Sequence, residues 1–180
     1  MIMKVFAIGG EPGSGKTTLM KKLIEHYNVE PKYDAFKLVP YLQKDNIYIL
    51  GKYEEGEVFS GTDRMSMAVQ PEAIKFLSSL SKDSIVLFEG DRLFTASFLE
   101  DCMDKYDLKI IYLSTRKEIR EDRYKDRGSS QNETWLQGRE TKISNILSNM
   151  TLMFNTYKYD HNTLKDQEYL LDSIYSMVRD

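Results

Sequence analysis

Residues 10–17 read Gly10-Glu11-Pro12-Gly13-Ser14-Gly15-Lys16-Thr17, a full match to G-x-x-x-x-G-K-[ST], and nothing else in the chain restricts its fold so tightly. The glycines let the backbone turn back and aim successive N–H groups at phosphate oxygens. A helix starting near Lys16 adds its positive N-terminal end. In such a loop the lysine, here Lys16, reaches the β- and γ-phosphates, and the hydroxyl of Thr17 is placed to serve Mg²⁺. The motif needs a strand before it and a helix after it. Met3 to Ile8 is a short apolar run ending at Gly9-Gly10, and Thr17 to Tyr27 carries Leu19, Met20, Leu23, Ile24 and Tyr27 at helical spacing. The expected triphosphate cradle is therefore Gly10, Glu11, Pro12, Gly13, Ser14, Gly15, Lys16, Thr17 and Thr18.

Two more apolar runs end in polar clusters: Ser84 to Phe88 before Glu89-Gly90-Asp91-Arg92, and Leu108 to Leu113 before Ser114-Thr115. Amphipathic stretches separate them. Pro71 to Leu80 reads as helix with Pro71 in the first turn. A charged helix follows Ser114, its plausible N-cap, and reaches about Arg127; Gly128 to Glu133 reads as a loop. Thr134 to about Met153 reads as helix, and Asn162-Thr163 is placed to cap a last one bearing Leu164, Tyr169, Leu170, Ile174 and Met177. Ala35 to Leu50 is β-prone around Lys44-Asp45-Asn46 and fits either a hairpin or a strand with an extended loop. Strands alternating with helices imply an α/β fold with a parallel sheet covered on both faces. Ligands then bind beyond the carboxyl ends of the strands, where the clusters at Gly9, Glu89 and Ser114 would meet.

The 180 residues fit one domain, without repeats or a dividing linker. A single cysteine, Cys102, excludes an internal disulfide, and no apolar run approaches the roughly 20 residues of a membrane helix. Met1 to Ala7 leads into the first strand rather than resembling a signal peptide. A cytoplasmic protein without a membrane partner is expected. The net charge of −3 argues against broad, non-specific nucleic-acid binding but leaves room for a local basic site.

The run GEPGSGKTTL resembles the loop of the P-loop kinase group, which includes nucleoside monophosphate kinases and polynucleotide kinases. The resemblance implies a P-loop NTPase three-layer sandwich with a parallel, five-stranded sheet, a helical lid, and ATP with Mg²⁺ as cofactors. The strand end Phe88-Glu89-Gly90-Asp91 resembles a Walker B element. Thr17, Glu89 and Asp91 are the expected metal-side oxygens, with a general-base role for Glu89 or Asp91 as the alternative to metal binding. Asp91-Arg92 resembles the acceptor-holding Asp-Arg pair of thymidylate-type kinases, although Gly90 between two acids departs from the commoner pattern.

Arg116, Arg120, Arg123 and Arg127 recur at spacings that share one helix face, and Arg139 and Lys142 follow. This segment, about 114–142, resembles the lid of small kinases. Guanidinium groups bind phosphate oxygens in pairs and keep their charge. Lys16, Asp91, Arg123, Arg127 and Arg139 are the expected catalytic residues. The interleaved Glu118, Glu121, Asp122 and Asp126 equally fit a solvated, ion-paired helix.

Asp63, Arg64 and Arg92 are the expected substrate-binding residues. Tyr41, Tyr48, Tyr53 and Phe59 fit core packing better than base stacking. The run GTDRMSMAVQPEAIKFL with the FEGDR strand end is similar to phage kinases that phosphorylate 5-hydroxymethyluracil in DNA. The resemblance implies an ATP-dependent kinase acting on a nucleotide or nucleobase hydroxyl, a modified DNA base among the acceptors. A (deoxy)nucleoside monophosphate kinase is the alternative. A nucleotide-hydrolysing switch is disfavoured, because no Asn-Lys-x-Asp guanine-reading motif occurs. Oligomeric state is not encoded in any motif.

Overall fold

The computed structural model describes residues 1–57, 59–126 and 133–180. In chain order the elements are β1 (Lys4–Gly10), α1 (Lys16–Tyr27), β2 (Glu30–Pro31), β3 (Tyr41–Lys44), β4 (Ile47–Leu50), α2 (Val69–Ser79) and β5 (Ile85–Glu89). Then come α3 (Ala96–Lys105), β6 (Asp107–Ser114), α4 (Lys117–Asp126), α5 (Glu133–Leu147), β7 (Thr156–Asp160) and α6 (Leu164–Arg179). Short 3-10 turns at Thr62–Arg64 and Met153–Asn155 complete them.

The strands form one sheet in the order β2-β3-β4-β5-β1-β6-β7. From β4 to β7 every neighbouring pair is parallel, and β2 and β3 add an antiparallel edge. The expected five parallel strands are thus present, from β4 to the β7 edge, within a seven-stranded sheet. The two extra strands are short, and β3 returns directly into β4 through Asp45-Asn46, which resolves Ala35 to Leu50 in favour of a hairpin.

Strand β1 shows why both faces are covered. Val5 and Ala7 point into one apolar cluster with residues of α2 and α3, while Phe6 and Ile8 point into another with residues of α1 and α6. All four are fully buried, as period-2 alternation in a central strand requires. The result is a three-layer sandwich.

Besides the short edge strand β2, helix α3 and strand β7 were not expected from sequence. Helix α3 starts at Thr95, whose side chain accepts the Phe98 N–H, and it buries Phe98, Leu99 and Cys102. The helix expected to run to about Met153 stops short: α5 ends at Leu147, and the chain turns through Met153–Asn155 before β7 pairs with β6. Helix α6 begins as expected after Asn162-Thr163, with Thr163 and Asp166 capping each other's backbone N–H. Among the described residues no helix is long and apolar enough to cross a membrane.

Candidate active site

Strands β5, β1 and β6 lie side by side and parallel, so Glu89, Gly10 and Ser114 end on one edge. Beyond that edge the loop 10–17 folds back. Gly13 and Gly15 have φ of 81° and 94°, which side chains resist. A Cβ on Gly15 would also meet the His161 ring at 2.6 Å.

The loop's carbonyls are taken up from behind. Lys16 Nζ donates to Gly10 O at 2.8 Å and Glu11 O at 3.2 Å. Arg123 Nη1 donates to Gly13 O at 3.0 Å. Ser14 O receives His161 Nδ1 at 2.7 Å and the Thr115 hydroxyl at 3.3 Å. The Ser14 N–H closes a turn on Glu11 O at 3.0 Å, and with these carbonyls engaged the other N–H groups of the loop suit an anion. Buried His161 is the central strut of this arrangement, and burial holds its pKa below the ordinary value. Its Nε2 lies 3.4 Å from Gln167 Nε2, which suits a neutral ring donating through Nδ1. Its own carbonyl accepts from Thr115 and from Arg123 Nη2.

Glu89 stands opposite. It is only 2% exposed, and its Oε1 accepts the Thr17 hydroxyl at 3.4 Å and the Tyr53 hydroxyl at 3.1 Å. Burial pushes its pKa up to about 7, against the pull of Lys16. Tyr53 is carried there by a bridge between Lys52 and Gly61 that pins the segment following β4. Gly61 has φ of 72° and lies so near Glu89 that a Cβ would strike the carboxylate.

One step further along, the Asp91 N–H donates to Asp63 Oδ1 at 2.9 Å. The Asp91 carboxylate pairs with Arg139, and its carbonyl accepts Lys142 Nζ at 3.0 Å. Burial, then the neighbouring Asp91, pushes the Asp63 pKa up. Arg139 also stacks over Trp135, 4.6 Å from the ring centroid. Helix α5 therefore sends two cations to the strand end that carries the acids.

The expected residues thus fall into separate groups. Thr17 and Glu89 meet each other, whereas Asp91 faces Arg139 and Asp63. Arg123 lies behind the phosphate loop. Arg64 pairs with Glu54 at 3.0 Å, and Arg92 Nε donates to Met65 O at 3.2 Å. Arg127 lies outside the described residues. Arg120, on the expected arginine face, pairs with Glu11 of the loop and with Glu140 at 3.7 Å. Tyr41 and Tyr48 pack with Phe76 in the core as expected, but of the other two aromatics Tyr53 reaches the site and Phe59 is exposed rather than packed in the core. His161 and Gln167 belong to no motif, and Thr115 was visible only as part of the Ser114-Thr115 strand end. The only local signal was a histidine just before a helix cap.

A cavity of about 440 Å³ opens beside the loop, lined by Gly13, Gly15, Thr18, Arg123, His161 and the start of α6. It adjoins the phosphate cradle and has room for the rest of a nucleotide. Mg²⁺ fits the other side. Among the described residues no three His, Cys, Asp or Glu side chains could hold a metal by themselves. That suits an ion that takes one or two protein oxygens and otherwise binds water and phosphate, and Thr17 and Glu89 offer two such oxygens close together.

Residues 1–159 match the family model described as P-loop Nucleotide Kinase3. The chain belongs to this family and is a kinase. Curated proteins give no sequence match. Solved structures share the fold at low identity. An uncharacterized protein from Eubacterium ventriosum is 16% identical with a TM-score of 0.53, over 100% of this chain and 99% of that one. A sugar kinase from Janibacter sp. is 12% identical with a TM-score of 0.52, over 98% and 94%. Shikimate kinase from Bacteroides thetaiotaomicron is 13% identical with a TM-score of 0.51, over 100% of both chains.

Proposed function

We propose that this P-loop kinase uses ATP and Mg²⁺ to phosphorylate a hydroxyl group on a nucleotide or nucleobase, with the hydroxymethyl group of 5-hydroxymethyluracil in phage DNA as the leading acceptor. The observation that carries the reading is the meeting of Asp63 and Asp91 beside the strand end. A hydroxyl must lose a proton as it attacks, and carboxylates at that position can take it. A phosphate acceptor needs no base and would be repelled by the same acids. The hydroxymethyluracil assignment adds the resemblance of the 61–77 and 88–92 segments to phage DNA kinases.

In this reading Lys16 and the loop N–H groups hold the β- and γ-phosphates. Thr17 and Glu89 hold Mg²⁺, which when bound offsets the negative charge on the β- and γ-oxygens. The acceptor hydroxyl lies against Asp63 and Asp91. Its oxygen bonds to the γ-phosphorus, the bond from that phosphorus to the β–γ bridging oxygen breaks, ADP leaves, and the proton passes to the carboxylate pair. Burial, then the neighbouring Asp91, raises the pKa of Asp63, which suits it to take that proton. Arg139, released from Asp91, and Lys142 are placed to meet the charge on the moving phosphoryl group. We assign the lid role to the segment 114–142 on the same grounds.

The test is radiolabel transfer from γ-labelled ATP to hydroxymethyluracil DNA, unmodified DNA and free dTMP. Transfer to the modified DNA alone, lost in Lys16→Ala, is expected. Transfer to dTMP with none to the modified DNA would replace this reading with the nucleoside monophosphate kinase.

A further inference from the structure

The sheet has two edges, and they differ. The β2 edge is two residues long and contains Pro31, which has no N–H to offer. The β7 edge, Thr156–Asp160, is longer and holds neither proline nor glycine. Among the described residues no strand pairs with its outer side. We infer that this edge is the contact between two copies of the chain, which join β7 to β7 antiparallel about Tyr159 and so form one continuous sheet.

Backbone geometry decides which residues can pair. The His161 N–H donates to Ser114 O at 2.8 Å, on the β6 side. Pairing groups alternate along a strand, so Tyr157 and Tyr159 also face β6. Thr156, Lys158 and Asp160 then turn their N–H and C=O outward. In an antiparallel pair the outward residues of one strand must stand opposite those of the other. Three two-fold arrangements achieve this. An axis at Lys158 sets that lysine against its own copy. An axis at Tyr157 sets Lys158 against Thr156 and leaves Asp160 beyond the paired strand. An axis at Tyr159 sets Lys158 against Asp160 of the second copy, and symmetry repeats the pair. Directly opposite side chains interact, favourably for opposite charges and unfavourably for like ones. Charge therefore selects Tyr159 as the centre. A lysine on an edge ordinarily deters strand addition, but here Asp160 supplies its counter-charge from the other copy.

The side chains around the edge fit the same contact. Tyr159 packs with Tyr169 of α6, ring centroids 6.2 Å apart, on the face that α6 covers. Tyr157 shares that face by alternation. Tyr157 and Tyr169 are exposed, as are Met150, Met153 and Phe154 in the turn leading into β7, with Phe154 at 85%. Single exposed apolar residues are ordinary, whereas a group of them beside one unpaired edge marks an interaction surface. The two-fold axis stands perpendicular to the joined sheet. It brings the tyrosines of both copies together on one face and carries Phe154 past the end of the second copy's β7. It also points the carboxyl ends of the two sets of parallel strands in opposite directions, so the two phosphate loops lie at opposite ends of the dimer.

The experiment is sedimentation equilibrium over a wide range of protein concentration. The wild-type mass should rise from that of one chain to that of two and stop there, because a two-fold contact closes on itself. Lys158→Asp and Asp160→Lys should each weaken the dimer about tenfold or more, since both opposed pairs become like-charged. The two single variants mixed together should associate again, and the double variant carrying Lys158→Asp and Asp160→Lys should regain the wild-type dissociation constant, because each restores opposite charges across the axis. Thermal melts of each variant report that it is folded. A wild type that stays monomeric at every concentration would overturn the inference. So would a dimer that neither single variant weakens, or a weakening that neither the mixture nor the double variant relieves.

Discussion

The Tyr53 hydroxyl donates to Glu89 Oε1 at 3.1 Å, the same oxygen that the Thr17 hydroxyl reaches at 3.4 Å. A residue from the segment after β4 therefore shares an atom with the residue expected to serve Mg²⁺. Tyr53 acts through the carboxylate it orients, so its role is positioning. Tyr53→Phe keeps the ring and removes the donor. Turnover should fall about tenfold, the cost of one lost hydrogen bond to a charged group, and the magnesium concentration for half-maximal rate should rise. A magnesium titration of the initial rate checks this, and an unchanged curve would reduce Tyr53 to packing.

Glu89 should make the free protein less stable as pH rises. Its pKa is about 7 in the folded chain against an ordinary value of 4.5, so near neutral pH the folded form holds a proton that the unfolded form has already lost. Stability contributed by that proton is full below about pH 4.5 and is lost as pH climbs through 7. Glu89→Gln should accordingly stabilise the ligand-free protein at pH 8 by about 2–3 kcal/mol, with little gain at pH 4.5, while abolishing phosphoryl transfer. Denaturant melts at the two pH values decide it. Equal effects at both would mean that Glu89 is ionised throughout.

The phosphate loop and the strand-end acids were legible because their chemistry lies in contiguous residues: eight positions set the loop, and an apolar run ending in Glu89-Gly90-Asp91 sets the acids. Alternation of apolar runs also led to the parallel part of the sheet. The partners of these groups were not legible, because sheet order brings them in. Tyr53 reaches Glu89 across 36 positions, and His161 reaches Ser14 across 147. Strand β7 escaped because it is an edge: its Thr156–Asp160 sequence is mostly exposed and polar, without the apolar signature of the buried strands. The arginine face was legible only as a face. Its members turn to different tasks, Arg120 to Glu11 and Arg123 to the Gly13 carbonyl, and no spacing distinguishes them.

His161 should govern nucleotide affinity. Its Nδ1 bond fixes the Ser14 carbonyl, and with it the direction of the Gly15 N–H, which belongs to the same peptide unit. His161→Ala leaves that carbonyl with only the longer Thr115 contact. The KM for ATP should rise about tenfold, with a smaller change in kcat. His161→Asn, whose side-chain amide can donate to the same carbonyl, should recover part of the loss. Steady-state kinetics with ATP varied checks both variants, and an alanine variant with normal KM would show that the loop holds its shape unaided.

Arg139 should act chiefly on turnover. It is paired with Asp91 and stacked on Trp135. To reach a transferring phosphoryl group it must leave both. Charge supplied only as the transition state forms lowers the barrier without tightening ground-state binding. Arg139→Ala should therefore cut kcat by about 100-fold, in the range of other single electrostatic contacts, and leave the KM for ATP within about twofold by the same argument. Trp135 is the chain's single tryptophan, so its fluorescence reports the stack directly. Adding ATP, Mg²⁺ and acceptor should shift the emission of the wild type and leave that of Arg139→Ala nearly unchanged. If the wild-type emission does not respond, or if the alanine variant keeps full turnover, Arg139 is a fixed ion-pair partner of Asp91, and α5 has no part in the chemistry.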